Sequence, residues 1–235
     1  MSTDVAAEPT PLTALPGGPY DVEFFFDPGC PFAWQTSRWI RRVAELRDDV
    51  KVGWRFISLA YINEGNESSE QMKQAHARTR AYHRICAAAR ERFGNDAVGA
   101  LYRAYGDRFW STQSAGTFFD KMEAGGANVD PGAILADLGL PADLIDAADD
   151  PAWDDVLHAE SDEAFRRTGP NVGTPILTYD PPTGNSLFGP VISEVPDDET
   201  AVKFYDALRT FVDFPAFSEL KRTDRRPLDL PLLGR

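Results

Sequence analysis

The sequence predicts an α/β fold whose β-unit is split by a long all-helical insertion. Three observations carry that expectation: a strand–helix–strand pattern from residue 22 to 59, a wholly helical pattern from 67 to 168, and strands that return at 176. At 235 residues the chain is long enough for one hydrophobic core with a subdomain and too short for two large domains. With 43% hydrophobic and 26% charged residues, its composition is globular, not disordered.

Met1 to Pro19 is rich in Pro, Ala, Thr and Gly and carries neither Lys nor Arg. It lacks the basic region and apolar run of a secretory signal, so a flexible tail is expected, and the cytoplasm is the expected compartment. No run of about 18 apolar residues occurs, so no transmembrane helix is expected. Val22-Glu23-Phe24-Phe25-Phe26 is short, aromatic and β-branched, the mark of a buried strand. Asp27-Pro28-Gly29 breaks it. Cys30-Pro31 then opens a helix, because proline at the first helical position forfeits only an N–H that has no partner there. Trp34, Ile40, Val43, Ala44 and Leu46 are its apolar positions, and Asp48-Asp49 end it. Val50 to Leu59, with Val52, Trp54, Phe56 and Ile57, reads as a second strand, parallel to the first across a right-handed helical crossover.

Met72 to Phe93, Ala97 to Trp110, Pro131 to Leu138 and Ala152 to Arg167 are predicted helices. Pro131, Pro141 and Pro151 each fit a helix start with an Asp nearby to cap it. Asn171 to Pro175 leads into a strand at Ile176 to Tyr179. The turn residues Asp180 to Asn185 follow, then a partner strand at Ser186 to Phe188. Asp197 to Phe211 closes with a helix that lines up Val202, Tyr205, Leu208 and Phe211. The charged, Pro-rich tail after Leu220 is expected to lie over the surface. The order βαβ, helical block, ββα fits a thioredoxin fold carrying an inserted helical domain. The expected division is a tail at 1–19, a discontinuous thioredoxin-fold domain at 20–66 and 169–215, a helical insertion at 67–168, and a C-terminal tail at 216–235.

Charge and cysteine count exclude several functions. Lys and Arg total 24 against 37 Asp and Glu, a formal net charge of -13, which argues against nonspecific nucleic-acid or anionic-membrane partners. Two cysteines, Cys30 and Cys86, rule out a disulfide scaffold and a cysteine-rich zinc site. No metal is expected. The acidic run from Asp143 to Asp155 does not match the spacing of an EF-hand loop, and reads as solvated surface with helix caps. There is neither a P-loop nor a dinucleotide fingerprint.

Cys30 stands between a strand and a helix N-terminus, where unpaired N–H groups carry about half a positive charge. That placement predicts a thiolate with a pKa below the free value of about 8.5, hence a nucleophile. The alternative is an inert buried cysteine. Thr174-Pro175, preceded by Val172-Gly173, is the second element. A cis proline there would turn the Thr174 backbone groups outward to pair with an extended thiol substrate; the alternative is a trans proline opening an edge strand.

Phe-Asp-Pro-Gly-Cys-Pro-Phe-Ala-Trp, followed by Thr36-Ser37-Arg38-Trp39-Ile40, resembles the active-site segment of the DsbA-like thioredoxin family. Within it the chain is most similar to the cytoplasmic mycothiol-dependent nitroreductase/oxidoreductase branch. Ser58-Leu59-Ala60, Asn63-Glu64, Val172 to Pro175, Phe188-Gly189-Pro190-Val191 and Phe217 to Thr223 carry the likeness further. The resemblance implies Cys30 as nucleophile within the motif Cys30, Pro31, Phe32, Ala33 and Trp34. It also implies thiol-substrate binding at Val172, Thr174, Pro175 and Asn63. A low-molecular-weight thiol, mycothiol or glutathione, is the implied co-substrate, acting with an electrophilic or disulfide substrate.

One departure changes the expected chemistry. The usual family motif is Cys-Pro-Trp-Cys, whereas this chain has Phe32 and Ala33. Without a thiol at position 33, a mixed disulfide on Cys30 must be resolved by an external thiol, a monothiol cycle. Cys86 is a substitute resolving thiol or a packed helix residue, and His83 a thiolate-tuning group or a satisfied core histidine. Trp34 and Trp110 line an aromatic pocket or pack the core. Two other functions stay open: a thiol-binding transferase or isomerase of the kappa glutathione transferase or chromene-carboxylate isomerase type, and a noncatalytic binding protein. A homodimer is also left open.

Overall fold

The computed structural model describes residues 13–66 and 69–234; residues 1–12 of the expected N-terminal tail lie outside them. The strands β1 (Val22–Phe26), β2 (Val52–Phe56), β3 (Ile176–Tyr179) and β4 (Ser186–Phe188) form one sheet in the order β2-β1-β3-β4. β1 and β2 are parallel, with Val22 opposite Val52, and β3 runs antiparallel to both β1 and β4. Helix α1 (Pro31–Leu46) makes the crossover, and α8 (Asp198–Val212) packs on it, with the Trp39 indole donating to the Ala201 carbonyl at 3.1 Å. This is the expected βαβ…ββα order. Between β2 and β3 come α2 (Leu59–Ile62), α3 (Glu70–Phe93), α4 (Asn95–Trp110), α5 (Phe118–Ala127), α6 (Pro131–Asp137) and α7 (Asp154–Thr168).

β1 is central and covered on both faces, which explains its unbroken apolar run. Phe24 and Phe26 point into the main core with Trp54, Phe56, Tyr102 and Ile85, while Phe25 points to the other face with Ile57, Ala164 and Ile176. Glu23 shares the face of Phe25 and is buried, so its charge needs partners. Arg55 on β2 donates to it from Nε at 2.5 Å, and Arg167 on α7 from Nη1 at 2.8 Å. Glu160 on α7 accepts from Arg55 at 3.2 Å and from Arg90 on α3 at 2.8 Å. This ion cluster joins two helices of the insertion to the sheet.

The outer edge of β2 is closed by side chains. The Asn95 amide exchanges two hydrogen bonds with the Trp54 backbone, at 2.7 and 2.8 Å, and Glu160 accepts from the Phe56 N–H at 2.8 Å. Satisfied in this way, the edge offers no template to another strand.

Several expectations are corrected. Residues 13 to 19 are not a loose tail: Leu15 is buried, and the Thr13 carbonyl accepts from Arg55 and Arg167. The C-terminal segment is not merely draped over the surface. Leu228, Leu230 and Leu232 are buried, and Leu232 fits against α5 where Gly125 leaves room; a Cβ there would stand 2.9 Å from it. Asp130 and Asp150 cap the turns that begin at Pro131 and Pro151, but Pro141 opens a 3-10 turn (Ala142–Asp149) without a side-chain cap. Removing the Leu232 side chain should therefore cost stability as a core truncation does. We expect Leu232→Ala to lower the unfolding free energy by about 2–4 kcal/mol in urea titration, where a surface leucine would cost almost nothing.

Candidate active site

Cys30 is the residue before α1 and caps it. Its Sγ accepts from the Ala33 N–H at 3.4 Å and donates its proton to the Thr174 carbonyl at 3.4 Å. Thr174 precedes β3, its hydroxyl donates to the Phe25 carbonyl at 2.8 Å, and the Thr174–Pro175 peptide is cis. Two sequence-distant segments expected at the site therefore meet at one sulfur atom. Val172 packs instead with Phe25, Ile57 and Ile176 on the far face of the sheet. Asn63 ends α2, and its side-chain amide donates to the Leu59 carbonyl at 2.8 Å, a capping contact rather than one aimed at the thiol.

The site is more enclosed than its sequence suggests. Cys30 is 7% exposed, and burial pushes its thiol up to about 12. The Ala33 and Phe32 N–H groups pull the other way, while the Asp27 carboxylate adds to the rise. The expectation of a depressed thiol pKa is thus corrected. The helix N-terminus does supply its donors, but the surrounding packing removes the water that would otherwise favour a thiolate.

Asp27 is the site residue that sequence reading missed. Its carboxylate accepts from the Gly29 N–H at 2.7 Å and the Leu59 N–H at 2.8 Å, joining the loop before Cys30 to the start of α2. Burial lifts its carboxyl to about 6 against the pull of those two donors. The available signal was an ionisable residue set directly between a buried aromatic strand and Cys-Pro. His83 on α3 stands beyond it, with Nδ1 4.0 Å from Asp27 Oδ2 and Nε2 3.1 Å from the Phe26 carbonyl. Burial holds His83 down to about 3, so the ring is neutral, packed edge-on against Phe26 and Phe56.

The remaining candidates separate. Cys86 is a free thiol, fully buried in α3, and burial pushes its pKa up. Trp34 stands edge-on to Tyr102, and Gly106 on α4 admits its ring, since a Cβ there would lie 2.3 Å from it. Trp110 is fully buried. Pro31 occupies the first turn of α1, Ala33 is fully buried, and Phe32 is half-buried with the Arg225 guanidinium 5.5 Å from its ring. Among the described residues no cluster of His, Cys, Asp and Glu is suited to hold a metal ion.

A cysteine at a helix N-terminus opposite the carbonyl before a proline-led strand is the arrangement of a thioredoxin-fold protein with a thiol site. Comparison with known proteins narrows the class. Residues 29–222 match the model of the Rv2466c-like family, described as mycothiol-dependent nitroreductase Rv2466c. A Mycobacterium tuberculosis protein, the uncharacterized Rv2286c, is 32% identical over 218 residues, spanning 91% of this chain and 86% of that protein. In structure the chain is similar to 2-hydroxychromene-2-carboxylate isomerase, with a TM-score of 0.52 at 13% identity over 80% of this chain and 94% of that one. A probable DsbA oxidoreductase from Streptomyces coelicolor is similar at a TM-score of 0.49 and 20% identity, over 86% of this chain and 93% of that one. The chain belongs to the Rv2466c-like family, whose model is described as that of a mycothiol-dependent nitroreductase.

The pH dependence of the thiol follows from its surroundings. Below its folded pKa Cys30 stays protonated, so its alkylation rate should climb steadily from pH 7 to 10 with no plateau near the free-thiol value of about 8.5. Asp27 is ionised above its own pKa of about 6 and opposes the Cys30 thiolate there. Asp27→Asn should then raise the alkylation rate several-fold at pH 8 and much less at pH 5. A plateau below pH 8.5 in the unmodified protein would contradict this description.

Proposed function

We propose that the protein is a cytoplasmic thiol-disulfide oxidoreductase that works through Cys30 alone, with a low-molecular-weight thiol of the mycothiol type as co-substrate. The observation that carries the reading is the position of Cys30 Sγ between the Ala33 N–H and the Thr174 carbonyl. What supports a monothiol cycle is Ala33, which occupies the place of a second thiol one turn into α1, and Cys86, which is locked inside α3.

The thiol–carbonyl contact suggests how such a site turns on. Cys30 donates its proton to the Thr174 carbonyl, and a thiolate would meet that oxygen's lone pairs instead. An extended substrate whose own N–H bonds to the Thr174 carbonyl takes over that acceptor, leaving the Ala33 and Phe32 N–H groups to hold the thiolate. Cys30 sulfur then attacks one sulfur of a small disulfide. The Cys30–S bond forms, the old S–S bond breaks, and its electron pair leaves with the other thiol, which takes up the Cys30 proton through solvent. A second thiol attacks the bound sulfur, forms a new external disulfide and regenerates Cys30. No electrons are stored in the protein.

Intact-mass spectrometry after incubation with oxidised mycothiol is expected to show one mixed-disulfide adduct on Cys30, absent in Cys30→Ser. An unmodified protein at every pH tested would overturn the exchange reading. Restoring the missing thiol offers a second check: Ala33→Cys should form an internal disulfide under the same treatment, with a loss of two hydrogens in place of the adduct. The enclosed, protonated thiol also favours a second reading, a transferase or isomerase that binds a thiol noncovalently. Conjugation of a model electrophile that persists in Cys30→Ala would support that reading over the first.

A further inference from the structure

The chain is strongly acidic, yet its cations are not spread evenly. Lys221, Arg222, Arg225 and Arg226 fall within six residues, against the single Asp224, in a molecule of net charge -13. All five are exposed, in a stretch after α8 without regular secondary structure, so contacts beyond it must set its path. Those contacts are specific. Leu228 and Leu230 are buried in the core just past the stretch. The Ser193 hydroxyl donates to the Arg226 carbonyl at 2.9 Å, and the Ser193 carbonyl accepts from the Asp229 N–H at 2.7 Å. The same Ser193 carbonyl accepts from the Gln35 side-chain amide at 3.2 Å, which ties the stretch to α1.

This path brings Arg225 to the nucleophile's own motif. Its guanidinium stands 5.5 Å from the centre of the half-buried Phe32 ring, within cation–π range. Phe32 is two residues past Cys30, about 3 Å along the helix axis, and its N–H is one of the donors that favour the thiolate. The Arg222 and Arg225 side chains form no hydrogen bond or ion pair among the described residues, while Lys221 and Arg226 reach Glu219 and Glu194 only at 3.8 and 3.5 Å. A guanidinium laid on a ring keeps its N–H fork free at the edge. Burial, two backbone N–H groups and Asp27 set the preference of the Cys30 sulfur, and no arginine is among them. The Arg225 charge is thus left for whatever approaches the sulfur.

We propose that Arg225 recognises an anionic group on the molecule that Cys30 attacks: a small electrophile or disulfide with a carboxylate a few bonds from its reacting atom. The proposal rests on Cys30 as the nucleophile of the reading above and names the class of its second substrate. A guanidinium offers a carboxylate two parallel N–H donors, a charge-assisted pair that a neutral group cannot match. The rest of the surface decides the size of that substrate. A large acidic partner would meet the repulsion of the whole chain, whereas a small anion responds mainly to charges within about a Debye length, ~8–10 Å. Beside Phe32 that range holds an arginine with no carboxylate paired to it. Asp27, the carboxylate that does act on the sulfur, is buried and committed to the Gly29 and Leu59 N–H groups.

The test reads charge selection apart from disulfide exchange. Cys30 is alkylated with 3-maleimidopropionate and with the neutral N-ethylmaleimide. In each case the sulfur adds to the maleimide double bond, the neighbouring carbon takes up a proton, and nothing leaves. Peptide mass spectrometry places the adduct on Cys30. The ratio of the two rates, in which the thiolate fraction cancels, is compared with the same ratio for 2-mercaptoethanol. At low salt the protein's ratio is expected about five-fold above that reference, falling toward it in about 0.5 M sodium chloride. Arg225→Gln, checked for an unchanged melting transition, should bring the ratio down to the reference at every salt concentration. A ratio in the unmodified protein equal to the reference or insensitive to salt, or one retained in Arg225→Gln, would overturn the assignment. So would a Cys30 that reacts with neither maleimide. Charge selection without any adduct from oxidised mycothiol would sink the exchange reading alone. Adduct formation with a ratio blind to charge would sink the anion site alone.

Discussion

The Asp27 carboxylate ties the fold to its chemistry. It sits at the end of the central strand, fully buried, and accepts the N–H groups of Gly29 and Leu59. One acceptor therefore sets both the loop that presents Cys30 and the turn that leaves β2. Replacing it with an apolar side chain would strand two buried donors, each costing about 1–3 kcal/mol. Its position has a chemical consequence as well, because a carboxylate beside a thiol opposes the thiolate. The group that builds the loop thus also adds, after burial itself, to the preference of the Cys30 sulfur for its protonated form.

The helical insertion matters for the same reason. It is joined to the sheet by partnered polar groups, the carboxylates and Arg55 buried, Arg90 and Arg167 half-buried: Glu23 with Arg55 and Arg167, and Glu160 with Arg55, Arg90 and the Phe56 N–H. Such a cluster contributes little net stability over a well-packed apolar core, but removing one member leaves an uncompensated charge inside. Its effect is positional. It fixes α3 and α7 against β1 and β2, and with them the aromatic wall of Phe26, Phe56, Tyr102 and His83 behind Cys30. That wall is shared: Phe26 and Phe56 come from the sheet, Tyr102 and His83 from the insertion.

What the sequence made legible were the features governed by neighbours along the chain. β1 was legible because a five-residue aromatic run has one reading when both faces are covered. α1 was legible because proline fits its first turn, and α3 because it is long and free of proline. The pairing of Cys30 with Thr174 was legible from two motifs and their order. Features governed by distant packing were not. Leu228, Leu230 and Leu232 stand among charges and prolines, and only packing against elements distant in the chain, as of Leu232 on α5, makes them core. α5 was missed although Thr117 and Asp120 form a capping box, because Gly125-Gly126 weakens its helical pattern. Asn63 looked functional by position, yet its amide closes the end of α2.

The thiol's behaviour is the deepest case of that limit. A helix N-terminus is visible in sequence and argues for a thiolate; enclosure is not visible and argues for a thiol. At Cys30 both are present, and the second outweighs the first. The balance is poised, because the proton on sulfur is held by a single acceptor, the Thr174 carbonyl, while the donors suited to a thiolate are already in place. A ligand that supplies an N–H to that carbonyl changes the sign of the local interaction without moving the helix. An enclosed, protonated thiol is also less open to oxidants than an exposed thiolate would be.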